Sequence, residues 1–320
     1  YRKHPDWILQ TPGRRVSHGR YQYVLDFSRK EIVDYIYGMI AKLLSESNIS
    51  YIKWDMNRSI TECYSIAYPA DQQGEIFHRY ILGVYDLYER LTSAFPEVLF
   101  ESCASGGGRF DPGMLYYAPQ GWVSDDSDAV ERLKIQYGTS MCYPLSSMGS
   151  HVSVIPNHQV FRNTPLHTRA NVAYFGTFGY ELDLNKLSDA EIEEVKAQIR
   201  FMKEYRELLQ FGTFYRLESP FNGNETVWMV VSEDKSKALV GYYRVLNGVN
   251  LPYSCVKLQG LDPDKLYENE LANTEHYGDE LMNLGLITTD VSAGEVPQGA
   301  EPCTDFESRI YLLKEKQSTN

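Results

Sequence analysis

Tyr51-Ile52-Lys53-Trp54-Asp55-Met56-Asn57-Arg58 is the stretch whose reading decides the fold. An alternating, aromatic-rich run ends on a carboxylate, and a polar loop follows. A strand that ends on an acid, within a series of strand and helix units, puts that acid at the mouth of a parallel barrel. Chemistry in such barrels collects at the C-terminal ends of the strands. A lone aspartate more often caps a strand at the surface. Here Lys53 precedes Asp55 by two positions and shares its strand face. A lysine and an aspartate aimed together into one cavity point to a functional carboxylate.

Upstream, residues 1–22 read as loop, with Trp7-Ile8-Leu9 a short strand and Arg20 either a ligand for an anion or hydroxyl or a solvated cation. Residues 23–27 read as a strand. Ser28 then caps a helix with Glu31 as its capping-box partner. Ile32, Ile36, Ile40 and Leu43 fall on one helical stripe, which Asn48 closes.

Downstream, residues 76–94 repeat the helical period with Ile81, Val84, Tyr85, Tyr88 and Leu91 inward, until Phe95-Pro96 stops it. Val98-Leu99-Phe100 is the next strand and runs into Glu101-Ser102-Cys103-Ala104-Ser105-Gly106-Gly107-Gly108-Arg109. Residues 121–124 form a strand ending on Asp125-Asp126-Ser127-Asp128, and a helix over 129–137 turns Val130, Leu133 and Tyr137 inward. A strand over 152–155, a helix over 168–175 and a strand over 180–184 follow. Ser188 with Glu191 opens a long helix lined by Ile192, Val195, Ile199, Met202 and Leu209.

This alternation gives about six β/α units and predicts a parallel sheet with helices outside. A closed (β/α)8 TIM barrel needs eight units and about 250 residues, and an open sheet would leave long edges bare. The expectation is therefore an α/β barrel whose N-terminal units lie upstream of Tyr1, the chain being a C-terminal portion of a larger protein. From residue 213 the pattern changes to short strands over 226–231, 238–243, 255–258 and 309–313, between turn clusters such as Ser232-Glu233-Asp234-Lys235. That spacing predicts an antiparallel β-sandwich. The domains read as 1–212, a partial catalytic barrel, and 213–320, a C-terminal antiparallel β domain.

The 320 residues are 43% hydrophobic and 23% charged, enough for a large core. A net charge of -12 argues against nucleic acid or an anionic membrane as partner. Twenty-five Tyr and four Trp suit sugar recognition, since sugar rings offer apolar C–H faces edged by hydroxyls, although Tyr also fills cores. Cys63, Cys103, Cys142, Cys255 and Cys303 are scattered, with no zinc or disulfide spacing, so a reducing cytoplasm is the expected setting. No signal peptide or membrane-length apolar run is visible.

Two carboxylates could carry chemistry: Asp55 and one of Asp125, Asp126 and Asp128. Both follow strand C-termini, as the two acids of a glycoside hydrolase must. One has to be ionised to attack or to steady an oxocarbenium-like centre, and the other has to hold a proton for the leaving oxygen. Like charges at one site favour one staying protonated, while Lys53 favours an ionised Asp55. Asp55 is then the nucleophile and the second acid the proton donor. A gap of about 5–5.5 Å between them implies retention and about 6.5–9.5 Å inversion. A Mg²⁺ or Ca²⁺ site at residues 125–128 is the competing use, but the glycine turn and distal glutamate of a calcium loop are missing. The Gly106-Gly107-Gly108 run matches no phosphate-binding pattern and reads as close backbone approach to a ligand. Cys103 reads as a small wall residue, and His151 and His158 as hydrogen-bonded scaffold.

With these motifs assembled, the sequence resembles the alpha-galactosidases of glycoside hydrolase family 36. Residues 51–58 resemble the nucleophile motif, 101–111 the substrate-binding loop and 122–132 the acid/base motif, where many members have Asn in place of Asp126. Met148 to Gln159 and Phe178 to Leu184 extend the likeness. The resemblance implies Asp55 as nucleophile and Asp125 as general acid/base in a retaining double displacement. It matches Arg20, Lys53, Asn57, Cys103 and Gly106 to galactose contacts, and Trp54 and Trp122 within the motifs join them as substrate-binding candidates. A pair of adjacent acids that bind sugar hydroxyls in the family has no counterpart here. The resemblance further implies a large β-sandwich domain before the barrel, no cofactor, no metal, an oligosaccharide substrate and a homo-oligomer. A galactosyltransferase of the raffinose-synthase kind and an inactive carbohydrate-binding module are the alternatives.

Overall fold

The computed structural model describes residues 1–249, 254–288 and 304–317. It divides into two units, Tyr1–Asp125 and Asp126–Asn320. Cys303 and the end of the polar tail lie outside the described residues.

In the first unit, strands and helices alternate: α1 (Lys30–Glu46), β1 (Tyr51–Asp55), α2 (Ile76–Ala94), β2 (Leu99–Cys103), α3 (Pro112–Tyr117) and β3 (Gln120–Gly121). The strands form a parallel sheet in the order β1-β2-β3. Helical connections between parallel strands account for this order, since the chain must cross back before each new strand. The register sets Asp55 beside Cys103 and Ser102 beside Gly121, so the three C-terminal ends share one rim. On β1 the period of two is plain. Ile52 and Trp54 pack into a core with Val84, Leu87, Tyr88, Leu91 and Phe100, while Tyr51, Lys53 and Asp55 take the other face. Each large apolar side chain fully buried there contributes about 1.5–3 kcal/mol.

Local details depart from the sequence reading. Residues 23–27 form no strand; Leu25 makes only an isolated bridge to Ile8. The Ser28–Glu31 capping box is absent, and α1 starts after Arg29. Buried Asp26 accepts hydrogen bonds from the hydroxyls of Ser28 and Ser65, which draws Ser28 away from the helix. Leu44 rather than Leu43 is buried on α1, and Tyr80 rather than Ile81 on α2.

The second unit begins with α4 (Ala129–Thr139), β4 (Gly149–Ser153), α5 (Leu166–Ala173), β5 (Thr177–Glu181) and α6 (Asp189–Phe211). Strands β4 and β5 pair in parallel, each starting about three residues earlier than the sequence pattern indicates. The Ser188–Glu191 capping box on α6 is present. A six-stranded antiparallel sheet follows, in the order β11-β10-β13-β8-β7-β6. Its strands are β6 (Thr213–Glu218), β7 (Glu225–Val231), β8 (Lys237–Arg244), β10 (Leu266–Asn269), β11 (Thr274–Tyr277) and β13 (Glu307–Glu315). The short pair β9 (Cys255–Val256) and β12 (Leu286–Ile287), with α7 (Gly278–Asn283), supplies the opposing layer among the described residues, in place of a second full sheet.

Alternation explains why this sheet is covered on both faces. Val227, Met229, Val240 and Tyr242 face Val256, Leu258, Leu281 and Leu286. Trp228, Val230, Leu239 and Tyr243, one residue out of phase, are equally buried. On that second side the Trp228 indole donates to the Tyr243 hydroxyl, which donates to the Asn171 carbonyl at 2.6 Å. Thr168 donates to the Phe306 carbonyl and Asn171 to Ser308, so the sheet is fastened to α5. No described helix is long and apolar enough to cross a membrane.

Candidate active site

The rim of the first unit holds the candidate residues. Asp55 is the last residue of β1 and is exposed. Two donors hold its carboxylate: the Asn57 amide at 2.5 Å and the Cys103 thiol across the β1/β2 pair. Asn57 in turn accepts from the backbone N–H and hydroxyl of Ser105 at 3.2 and 3.3 Å. Asn57 lies on the loop after β1 and Cys103 at the tip of β2, and together they fix the direction of the carboxylate.

The loop after β2 is built for close approach. Ser105 and Gly106 both have positive φ, and a Cβ on Gly106 would lie 2.8 Å from the Ser124 Cα and 2.9 Å from the Asp125 N. Only glycine fits there, on sterics and on backbone conformation alike. A chain of contacts therefore runs from the Asp55 carboxylate through Asn57 and the Ser105-Gly106 turn to the backbone of Asp125. Arg109 closes the loop from below, donating to the carbonyls of Trp54 and Cys103 at 3.3 and 2.7 Å. The backbone N–H of Met56 also bonds the Cys103 carbonyl.

The three acids of the 125–128 cluster separate by environment. Asp128 is buried, caps α4 by accepting from the N–H groups of Val130 and Glu131, and is ion-paired with Arg162. Burial pushes its carboxyl above the usual range, against the pull of those N–H groups and Arg162. Asp126 accepts from the Asp128 N–H at 3.1 Å. Asp125 is exposed. Among the described residues, no group of three or more His, Cys, Asp or Glu could hold a metal ion.

The remaining sequence-derived candidates divide. The Lys53 ammonium lies 4.4 Å over the Trp122 ring and 3.4 Å from Glu101. Trp122 is buried and its N–H bonds the Ser102 carbonyl. Trp54 does not join them. Its ring packs at 5.2 Å from Tyr88 and 6.5 Å from Phe100, because strand alternation turns it to the face opposite Lys53 and Asp55. Arg20 sits exposed on a turn closed by a Gly19–Gln22 bridge, and the adjoining Gly19 is seated on the Arg58 side chain. No contact among the described residues joins Arg20 to Asp55. His151 lies 3.7 Å from Glu181. Sequence reasoning missed Glu101 and Tyr51. The usable signal was the odd-numbered face of β1, which carries Tyr51, Lys53 and Asp55 together.

Burial pushes the Cys103 thiol up to about 11, and its bond to Asp55 acts in the same direction. The thiolate, which is the reactive form, is therefore scarce at neutral pH and appears as pH rises towards that value. With iodoacetamide at pH 8, exposed Cys142 and Cys255 are expected to be alkylated well before Cys103. Peptide mass spectrometry of a time course reads this directly; labelling of Cys103 as fast as Cys142 would contradict it.

A family model described as melibiase matches residues 1–212, and one described as the glycosyl hydrolase family 36 C-terminal domain matches residues 225–313. The chain belongs to the melibiase family. It is 56% identical over 317 residues to alpha-galactosidase AgaA of Geobacillus stearothermophilus, covering 99% of this chain and 42% of that one. It is 50% identical to alpha-galactosidase Mel36A of Lactobacillus acidophilus, covering 98% of this chain and 41% of that one. A crystal structure of AgaA matches with a TM-score of 0.93 at 53% identity, covering 99% of this chain and 42% of that chain. The chain thus spans less than half the length of these relatives.

Proposed function

We propose that this chain supplies the catalytic carboxylates of a retaining exo-alpha-galactosidase acting on raffinose-type oligosaccharides. The observation that carries the reading is the strand-tip Asp55, held by Asn57 and Cys103, with Asn57 bonded to Ser105 and the adjoining Gly106 packed closely against the Ser124-Asp125 backbone. Asp55 attacks the anomeric carbon from the face opposite the leaving group, and a carboxylic acid on Asp125 protonates the departing oxygen. The product of this step is a covalent β-galactosyl ester. Asp125, now ionised, takes a proton from water, whose oxygen displaces Asp55 and restores the α configuration.

Crystal structures of AgaA variants in complex with raffinose and with stachyose support the substrate class. Those two variants carry substitutions at aspartates separated by the same number of positions as Asp55 and Asp125. Lys53, Asn57, Cys103, Gly106, Arg20 and Trp122 are assigned to the galactose pocket. We place the parallel strands in an eight-stranded (β/α) barrel to which residues 1–212 contribute about six units, followed by a C-terminal β domain over 213–320. The chemistry of the two carboxylates calls on no cofactor. The whole protein is read as a cytoplasmic homo-oligomer.

The test is a panel of aryl glycosides given to the full-length protein, with the anomer formed first followed by NMR. Cleavage of the α-galactoside with α-galactose as the initial product is expected. Initial release of β-galactose would overturn the retaining assignment, and preference for another glycone would overturn the substrate.

A further inference from the structure

The register of β1 and β2 makes two cross-strand pairs on the rim face: Asp55 opposite Cys103, and Lys53 opposite Glu101. Glu101 is unlike the other carboxylates of this unit's rim, being only 1% exposed. Its Oε2 accepts from the Tyr51 hydroxyl and, at 2.6 Å, from the Gln120 amide. Its Oε1 has no hydrogen-bond partner among the described residues and faces the Lys53 ammonium at 3.4 Å. Burial, and next the bond to Glu101, push the Tyr51 hydroxyl far above its ordinary range, so it stays a donor.

A lysine is a point charge on a flexible four-carbon stem, and it settles wherever a carboxylate holds it. Two carboxylates share the face of Lys53: Asp55, two residues on, and Glu101, across the strand pair. Pairing with Asp55 would occupy the lone pairs needed for attack. A buried carboxylate competes better for the ammonium, since leaving it unpaired is costly. Tyr51 and Gln120 pin one oxygen of Glu101, which leaves the other aimed at Lys53.

We propose that Glu101 is a positioning residue, holding the Lys53 ammonium over the Trp122 ring and off Asp55 so that its free hydrogens meet the sugar hydroxyls. The inference rests on the galactosidase reading above. Glu101 touches no substrate and acts through Lys53 alone.

A double-mutant cycle in the full-length protein tests it. Glu101→Gln keeps the shape of the side chain and removes its charge. It is expected to raise KM for an aryl α-galactoside, and the dissociation constant of galactose by calorimetry, about 10- to 100-fold, the range of a lost charge-assisted bond. The fall in kcat is expected to be smaller. In a Lys53→Met background the same change is expected to have almost no further effect, and Glu101→Asp to recover part of the loss. Unchanged KM in Glu101→Gln, or an equal loss in the Lys53→Met background, would overturn the inference. Should Glu101→Gln not fold, Glu101→Asp, which keeps the charge but shortens its reach to Lys53, replaces it in the cycle; the same two outcomes decide. A wild-type protein that neither binds galactose nor cleaves galactosides would overturn the underlying reading and this inference with it.

Discussion

Asp55→Ala in the full-length protein is expected to lower kcat on an aryl α-galactoside on the order of 10⁴-fold or more, the scale for removing a covalent participant. Asp55 sits at a strand tip and its partners are Asn57 and Cys103, so the fold should survive its loss. The deleted carboxylate leaves a space at the strand tip on the attacking face. Azide added to the variant is expected to enter that space, restore aryl release and give β-galactosyl azide. The configuration is the informative part, because an anion standing in for Asp55 must attack from the side Asp55 would. Near-normal kcat in the variant, or an α-configured azide, would remove Asp55 from the role of nucleophile.

Asp125→Asn is expected to cost about 10²- to 10⁴-fold on raffinose, the range for loss of general acid and base help. An aryl substrate with a good leaving group needs little proton assistance, so its first step should be nearly intact. The second step still needs a base for water. The variant should therefore release a stoichiometric burst of phenol and then turn over slowly, and azide, which needs no base, should speed that slow phase. Equal losses on raffinose and on the aryl galactoside, without a burst, would move the role away from Asp125. Asp128 is a poor replacement, being spent on capping α4 and pairing with Arg162.

How much of this could be read from the chain alone differs from element to element. Strand β1 was legible because its odd and even positions differ in character, and the same alternation placed Lys53 with Asp55. Applied strictly, it would also have excluded Trp54, whose ring the structure puts against Tyr88. The α6 start was legible because nothing nearby competes for Ser188. The same motif failed at Ser28, where Asp26 offers a better acceptor, and that residue's burial depends on the chain around Ser65. Strands β4 and β5 begin in Gly149-Ser150-His151 and Thr177-Phe178-Gly179, small or mixed residues whose strand state comes from their neighbours rather than their own preference. Glu101 was hidden for a related reason. Its partners Lys53, Tyr51 and Gln120 come from two other strands, and only the register brings them to it.

The fastening of the six-stranded sheet to α5 also bears on how such proteins can be recombined. The segments matched by the two family models invite a joint between residues 212 and 225. Yet Trp228 and Tyr243 on one side of that joint are locked to Asn171 on the other, and Thr168 to the chain at Phe306. A chimera spliced there inherits one half of a fitted surface, so a compatible donor must match at α5 as well as at the splice.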